Sequence, residues 1–299
     1  LKMAKPNLSP KINLNRHNFE SLLQERVNNE ISKYVINSNE IDESMHYALS
    51  NPGKRVRPLL TYLVGDVLNL DFDKLDGTAS AIEIIHTYSL VHDDLPCMDN
   101  DDLRRGKPTL HVKYSESTAV LAGDAMASLA IDIILQDVNL NSDLKVELLQ
   151  FLMKTIGPEG MILGQIQDIS FENTSASEEE IIKMNELKTG ALVEFSMLAP
   201  VIIAGESTDQ WKKIAKRIGI TFQLIDDLLD IQESEENLGK AAKKDKKKNK
   251  KNYPICFGVD KTRDKIKEYQ DDVSIILSDM NLSEHPISIY INKLFDRQR

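Results

Sequence analysis

Cysteine is nearly absent from this chain: Cys97 and Cys256 are the only two among 299 residues, and they form no C-x-x-C pair. Neither a disulfide framework nor a zinc site is therefore indicated, and a reducing compartment is expected, the cytoplasm with organellar import left open. Long hydrophobic runs are also missing. The apolar stretches, such as Met197 to Ala204, fall well short of the roughly 20 residues that span a bilayer, so no membrane insertion is expected. The chain has no basic excess, since 37 Lys and Arg stand against 47 Asp and Glu for a net charge of −10, which excludes a general attraction to nucleic acid or an anionic membrane. Residues 1–19 carry basic residues, no acid and no apolar h-region. Two residues added before Met3, or the end of a transit sequence, would each fit that start. Nucleotide-loop signatures are absent too: neither G-x-x-x-x-G-K-[ST] nor a strand-linked G-x-G-x-x-G occurs.

What is present is helical periodicity. Hydrophobic residues make up 41% of the chain and charged residues 28%, enough apolar material for a sizeable core. Phe19, Leu22, Leu23, Val27, Ile31 and Val35 form one stripe at helical spacing. Further helices are predicted at 57–69, 77–95, 117–137, 143–155, 158–171, 178–204, 208–232, 254–279 and 284–296. Pro58 and Pro254 suit first turns, and Ser177 with Glu180 forms a capping box. No run of alternating strands, fixed repeat or linker divides the chain, so the expectation is one all-α domain over 1–299 with a loose segment at 1–17. The like-charged run Lys243 to Lys251 reads as a mobile loop, within a wider loop at 233–253, or as an anion grip.

The segment from His86 to Pro108 gathers Asp93, Asp94, Asp99, Asp101 and Asp102 against Arg104, Arg105 and Lys107. His86 and Asp93 share a helix face at about 100° per residue, whereas Asp93 and Asp99 would diverge on an ideal helix. Pro96 breaks the ladder between them and allows the chain to bend. Clustered carboxylates repel unless protonated or bridged, and oxygen-only ligands suit a hard ion such as magnesium. An EF-hand does not fit, because counting from Asp99 places Leu103 at loop position 5 and Arg104 where glycine is required.

A second acidic group, Asp226, Asp227 and Asp230, lies in an otherwise apolar helix with Gln223 beside it. Carboxylates so placed need basic partners or bound cations. Lys54, Arg57, Arg104, Arg105, Lys188 and Lys240 supply candidates, with Arg suited to bidentate phosphate contact and Lys to a point charge. Two carboxylate clusters opposed by several cations describe a site in which magnesium bridges protein acids to a diphosphate.

These motifs resemble the short-chain trans-isoprenyl diphosphate synthases, most closely the bacterial farnesyl diphosphate synthase type. The resemblance runs through Gly53 to Pro58, Glu83 to Thr109, Ala122 to Ala125, Gly160 to Asp168, Lys188 to Gly190, Phe222 to Asp230 and Leu238 to Pro254. It implies a large single helical bundle around a central cavity, a homodimer, and Mg2+ as cofactor. By the same resemblance Asp93 and Asp99 are first-motif metal ligands supported by Asp94, and Asp226 is the second-motif ligand with Asp227 and Asp230 as companions. Arg104, Lys188, Thr189, Gln223 and Lys240 match residues that bind the allylic diphosphate, and Lys54, Arg57, His86 and Arg105 match those that hold isopentenyl diphosphate. The sequence departs from the family at Pro52, where a second glycine is common, and at Lys251-Asn252, which replace a small Ser/Thr pair.

Tyr88, five residues before Asp93, resembles the chain-length stopper of farnesyl-producing enzymes, and the inserted Pro96-Cys97 occurs in both farnesyl and geranylgeranyl types. The wheel alone does not set Tyr88 under the metal, since it lies about 140° from Asp93. The implied reaction is condensation of dimethylallyl or geranyl diphosphate with isopentenyl diphosphate, mainly to farnesyl diphosphate. A geranylgeranyl synthase, a terpene cyclase and a noncatalytic partner subunit are the alternatives. The second aspartate motif in place of an N/D-x-x-S/T-x-x-x-E triad argues against the cyclase, and the survival of both motifs argues against the subunit.

Overall fold

Helical spacing translates directly into helices. The computed structural model describes residues 18–35, 38–51, 53–171, 174–238 and 252–297, which divide into two compact units, 1–146 and 147–299. The first unit contains α1 (Phe19–Tyr34), α2 (Glu40–Leu49), α3 (Val56–Val67), α4 (Asp76–Asp93), α5 (Leu110–Lys113) and α6 (Glu116–Gln136). The unit boundary falls inside α7 (Ser142–Ile156). The second unit continues with α8 (Met161–Phe171), α9 (Glu178–Asn185), α10 (Ala191–Ala204), α11 (Asp209–Leu238), α12 (Tyr253–Phe257), α13 (Val259–Asp279) and α14 (Pro286–Phe295). The all-α expectation holds, and the predicted stripe of α1 buries Phe19, Leu23, Val27 and Ile31.

Four local departures have identifiable causes. Helix α2 was not predicted; Asn39 starts it by accepting the Asp42 amide with its side chain. The predicted helix 254–279 is two, because Gly258 at φ 90° turns the chain between α12 and α13. The run 178–204 is continuous but carries a π-helical turn at Glu186–Gly190. Leu103–Arg104 pairs with Lys107–Pro108 as a two-stranded hairpin, the one sheet among the described residues. Arg105 and Gly106 both take positive φ, 52° and 77°, as a tight turn of the twist-matching kind requires.

Two helices bear on the membrane reading. Helix α6 and the run Glu178–Ala204 are long and apolar enough, by length and composition, to cross a membrane, because alanines and few charges join separate apolar stretches. In the second run, 67% of the most apolar window is buried within the protein, as in a core helix.

In the first unit α4 packs against α1, α3 and α6, and every residue from Asp76 to Ile85 is buried. The small residues Ala119, Ala122, Gly123 and Ala130 on α6 are buried and allow close approach to α4. Two carboxylates enter this core with partners. Arg26 forks Asp76 at 2.6 and 2.5 Å, and the Tyr62 hydroxyl donates to the same carboxylate at 2.6 Å. Arg55, held in left-handed conformation (φ 51°, ψ 38°) just before α3, donates to Glu83 at 2.7 Å, to Asn28 at 3.0 Å and to the Leu49 carbonyl at 2.7 Å. Both side chains of the Arg55–Glu83 pair are almost fully buried, at 3% and 2% exposure.

Glu83→Ala should therefore leave a buried guanidinium short of its counter-charge and destabilise the protein by about 3–5 kcal/mol. Removing Asp271 from its exposed pair with Lys267 should change stability by under about 1 kcal/mol. Urea denaturation of the two variants measures the contrast.

Candidate active site

The first aspartate motif is made by the way α4 ends. Beyond Asp93 the chain leaves the helix and folds back, with the Met98 and Asn100 amides donating to the Leu95 carbonyl and the Asp99 amide to the Asp93 carbonyl at 2.8 Å. The turn at Pro96 thus folds the chain back until the Asp99 backbone meets that of Asp93, and both residues are partly exposed. Asp94 points elsewhere. It is buried, and Arg104 grips it through Nε at 2.8 and 2.9 Å and Nη2 at 2.5 Å. Burial raises the Asp94 carboxyl and Arg104 opposes that shift, while burial works against the Arg104 charge and is overcome by Asp94.

The basic side of this unit is assembled around the hairpin. Arg105 donates to the Asn51 carbonyl at 2.6 Å, and Asn51 returns a bond to the Arg104 carbonyl at 3.2 Å. A Cβ on Gly53 would lie 2.5 Å from the Arg105 guanidinium, so glycine is what lets that group settle there. Arg57 is buried at the start of α3, and Lys54 is exposed. His86 is held well below its ordinary pKa, by burial first and then by Arg57, Arg105, Arg104 and Arg55. That shift favours the neutral imidazole, which can donate or accept a hydrogen bond.

Tyr88 is buried, with its ring edge-on to His92 at 5.7 Å; burial and then the Asp93 charge push its phenol up to about 12. His92 in turn lies 3.1 Å from the Val120 carbonyl, in space that a Cβ on Gly123 would occupy. A cavity of about 610 Å³ elsewhere in this unit, lined by Arg26, Asp73, Asp76 and Asp137, contains none of the predicted site residues.

In the second unit, glycines position the Lys188-Thr189 pair. A Cβ on Gly164 would stand 2.3 Å from the Lys188 backbone nitrogen, and one on Gly219 would stand 2.4 Å from the Gly190 Cα. Helices α8 and α11 therefore touch the π-helical turn backbone to backbone, and such turns re-aim side chains within a helix. Asp168, one turn beyond Gly164 on α8, accepts the Lys188 ammonium at 2.5 Å. Thr189 donates to Gln223 at 2.6 Å, and Gln223 donates to Asp227 at 2.9 Å. Asp227 is buried, and that burial, with Asp226 and Asp230 nearby, pushes its pKa up to about 7 against the Gln223 bond. Asp226 is partly exposed and accepts from Arg297 at 2.6 Å, while Asp230 is exposed one turn on.

Below the second motif, Tyr253 is fully buried among Ile181, Ile220, Leu224 and Ile266 and donates to Glu178 at 2.5 Å. It anchors the start of α12. Lys240 and the run Lys243–Lys251 lie outside the described residues, as do Pro52 and residues 1–17.

The acids of the two motifs are of two kinds. Asp93, Asp99, Asp226 and Asp230 retain exposure, whereas Asp94 and Asp227 are enclosed by protein partners. Among the described residues no three His, Cys, Asp or Glu side chains gather into a metal-holding group. Magnesium is commonly bound by one or two carboxylates plus water and phosphate oxygens, so the Asp93–Asp99 pair fits that ion and not one needing a full protein cage. Sequence reasoning passed over Arg55, Glu83 and Arg297; Arg55 sits visibly within GKRVRP, while Arg297 is 71 residues from its partner and has no local signal.

The chain is also similar to known proteins. Residues 38–276 match the family described as Polyprenyl synthetase. The chain is 40% identical over 238 residues to a farnesyl diphosphate synthase of Haemophilus influenzae, covering 78% of this chain and 81% of that protein. It is 42% identical over 230 residues to a chloroplastic geranylgeranyl pyrophosphate synthase of Catharanthus roseus, covering 75% and 64%. The crystal structure of a geranyltransferase from Helicobacter pylori, complexed with magnesium and isoprenyl diphosphate, matches with a TM-score of 0.81 at 30% identity over 99% of this chain and 100% of that one. The chain belongs to the polyprenyl synthetase family and is a prenyltransferase, a trans-prenyl diphosphate synthase of isoprenoid biosynthesis.

Proposed function

We propose that the protein condenses an allylic diphosphate, dimethylallyl or geranyl, with isopentenyl diphosphate in a magnesium-dependent reaction whose main product is farnesyl diphosphate. The observation that carries this reading is the loop closure that brings the Asp99 backbone onto that of Asp93 at the end of α4, leaving two partly exposed aspartates there, since magnesium is commonly held by one or two carboxylates together with phosphates. Asp93, Asp99 and Asp226 are the proposed ligands, with Asp230 beside Asp226. Asp94 and Asp227 act through protein partners, Asp94 by holding Arg104 and Asp227 by holding Gln223. The magnesium bound to the Helicobacter pylori relative supports the choice of ion.

In the reaction the allylic carbon–oxygen bond breaks, the isopentenyl double bond attacks the cation to form the new carbon–carbon bond, and a proton is lost to the departing diphosphate. Bound magnesium would neutralise charge on that leaving group. Arg104, Lys188, Thr189, Gln223 and Lys240 hold the allylic diphosphate. Lys188 is oriented by Asp168, and the Thr189 and Gln223 side chains are fixed by the chain of bonds ending on Asp227. Lys54, Arg57, His86 and Arg105 hold isopentenyl diphosphate, with neutral His86 acting as a hydrogen-bond partner among arginines that carry the charge. Tyr88, buried and braced by His92, stops chain growth at fifteen carbons. The whole chain acts as one catalytic domain, in the cytoplasm and as a homodimer. A twenty-carbon product is the second reading, favoured by the similarity to the geranylgeranyl synthase of Catharanthus roseus.

Asp93→Ala and Asp226→Ala should each lower turnover by about 10²-fold or more while leaving the circular dichroism spectrum unchanged. Arg57→Ala should weaken equilibrium binding of a nonreactive isopentenyl diphosphate analogue, and Lys188→Ala that of an allylic analogue, each by about 2–5 kcal/mol; equal losses for both ligands in both variants would contradict the division. Tyr88→Ala should shift the products from fifteen toward twenty carbons, since each added methylene gains about 0.8 kcal/mol when buried. Chromatography of the prenyl products decides between the two product readings.

A further inference from the structure

Asp226 does not sit open to a metal. Arg297, two residues past the end of α14, donates from Nη2 to Asp226 Oδ1 at 2.6 Å and to the Phe222 carbonyl at 2.7 Å. Its guanidinium carbon also lies 3.5 Å from the centre of the Phe222 ring. Phe222 and Asp226 are one turn apart on α11, so a single arginine covers two neighbouring positions of the face that carries the second motif. The Arg297 side chain is only 11% exposed, against 42% for Asp226.

A guanidinium forms a charge-assisted bond with a carboxylate oxygen, and a metal ion uses the same oxygen as a ligand. Both compete for Asp226, and two cations close together repel. The ring of Phe222 offers the guanidinium a second attraction that does not involve Asp226, so the arginine has a place to remain once the ion pair is given up.

We propose that Arg297 is a positioning residue that holds the Asp226 carboxylate in the metal-free protein and yields it on metal binding, thereby setting the metal affinity of the second motif. This rests on Asp226 being a metal ligand. The position of Arg297 makes it a brake: it keeps the helix face charge-compensated before substrate arrives, and it lowers the fraction of enzyme that binds metal at Asp226 in the absence of a diphosphate.

The test uses the full chain and manganese(II), an oxygen-seeking stand-in for magnesium whose free concentration is read by electron paramagnetic resonance. Arg297→Ala and Arg297→Gln should tighten manganese binding at the Asp226 site about five- to tenfold relative to the native protein, and Arg297→Lys, which keeps the charge, should return it toward the native value. Asp226→Asn should abolish that site and remove the effect of Arg297→Gln in the double variant. Unchanged or weaker binding in both Arg297→Ala and Arg297→Gln overturns the proposal while leaving Asp226 as a ligand, provided Asp226→Asn still loses a site. If Asp226→Asn binds manganese as the native protein does, the ligand assignment fails and this proposal fails with it.

Discussion

Charge compensation inside apolar helices governs how this protein is built. Helix α4 is buried along most of its length and still carries Asp76 and Glu83, and α11 carries Asp226, Asp227 and Asp230 within its apolar stretch from Phe222 to Ile231. Each buried acid draws a basic or hydrogen-bonding group from elsewhere in its unit. Arg26 and Tyr62 answer Asp76, Arg55 answers Glu83, Arg104 answers Asp94, and Gln223 answers Asp227. Because burying an uncompensated charge costs several kcal/mol, these pairings constrain where helix ends and loops can lie. Arg55 illustrates the consequence: it adopts a left-handed backbone and fastens the segment carrying Lys54 and Arg57 to α4.

Enclosed acids and partly exposed acids then divide the labour within a motif. Asp94 is removed from solvent by Arg104, while Asp93 before it and Asp99 in the returning loop keep access. The same division recurs in α11, where Asp227 is enclosed with a pKa near 7 while Asp226 and Asp230 retain exposure. Adjacent carboxylates on one helix point about 100° apart, so a run of acids naturally supplies one group for structure and another for the solvent side.

Glycine sets the precision of the second unit. At Gly164 and Gly219 a side chain would collide with the backbone of the π-helical turn, and that turn presents Lys188 and Thr189. Removing two Cβ atoms lets three helical segments meet closely enough for Asp168 to reach Lys188 and for Gln223 to reach Thr189. The flexible ammonium and the hydroxyl are thereby held by short bonds instead of being free to sample rotamers.

The sequence by itself determined the helical class, most helix positions and the chemical character of the site. Those depend on the 3.6-residue period and on the clustering of acids and bases, both of which are local. Even the bend that brings Asp99 to Asp93 was foreshadowed by Pro96, because proline acts on its own neighbourhood. The tertiary structure decided which acid remains open. Asp93 and Asp94 are neighbours of the same type, and only Arg104, returned by a hairpin ten residues later, separates their roles. The seating of Arg297 on Asp226, the meeting of Gly219 with Gly190 and the burial of Arg55 against Glu83 join residues 71, 29 and 28 positions apart. No local pattern specifies such pairs, because each depends on how the helices pack.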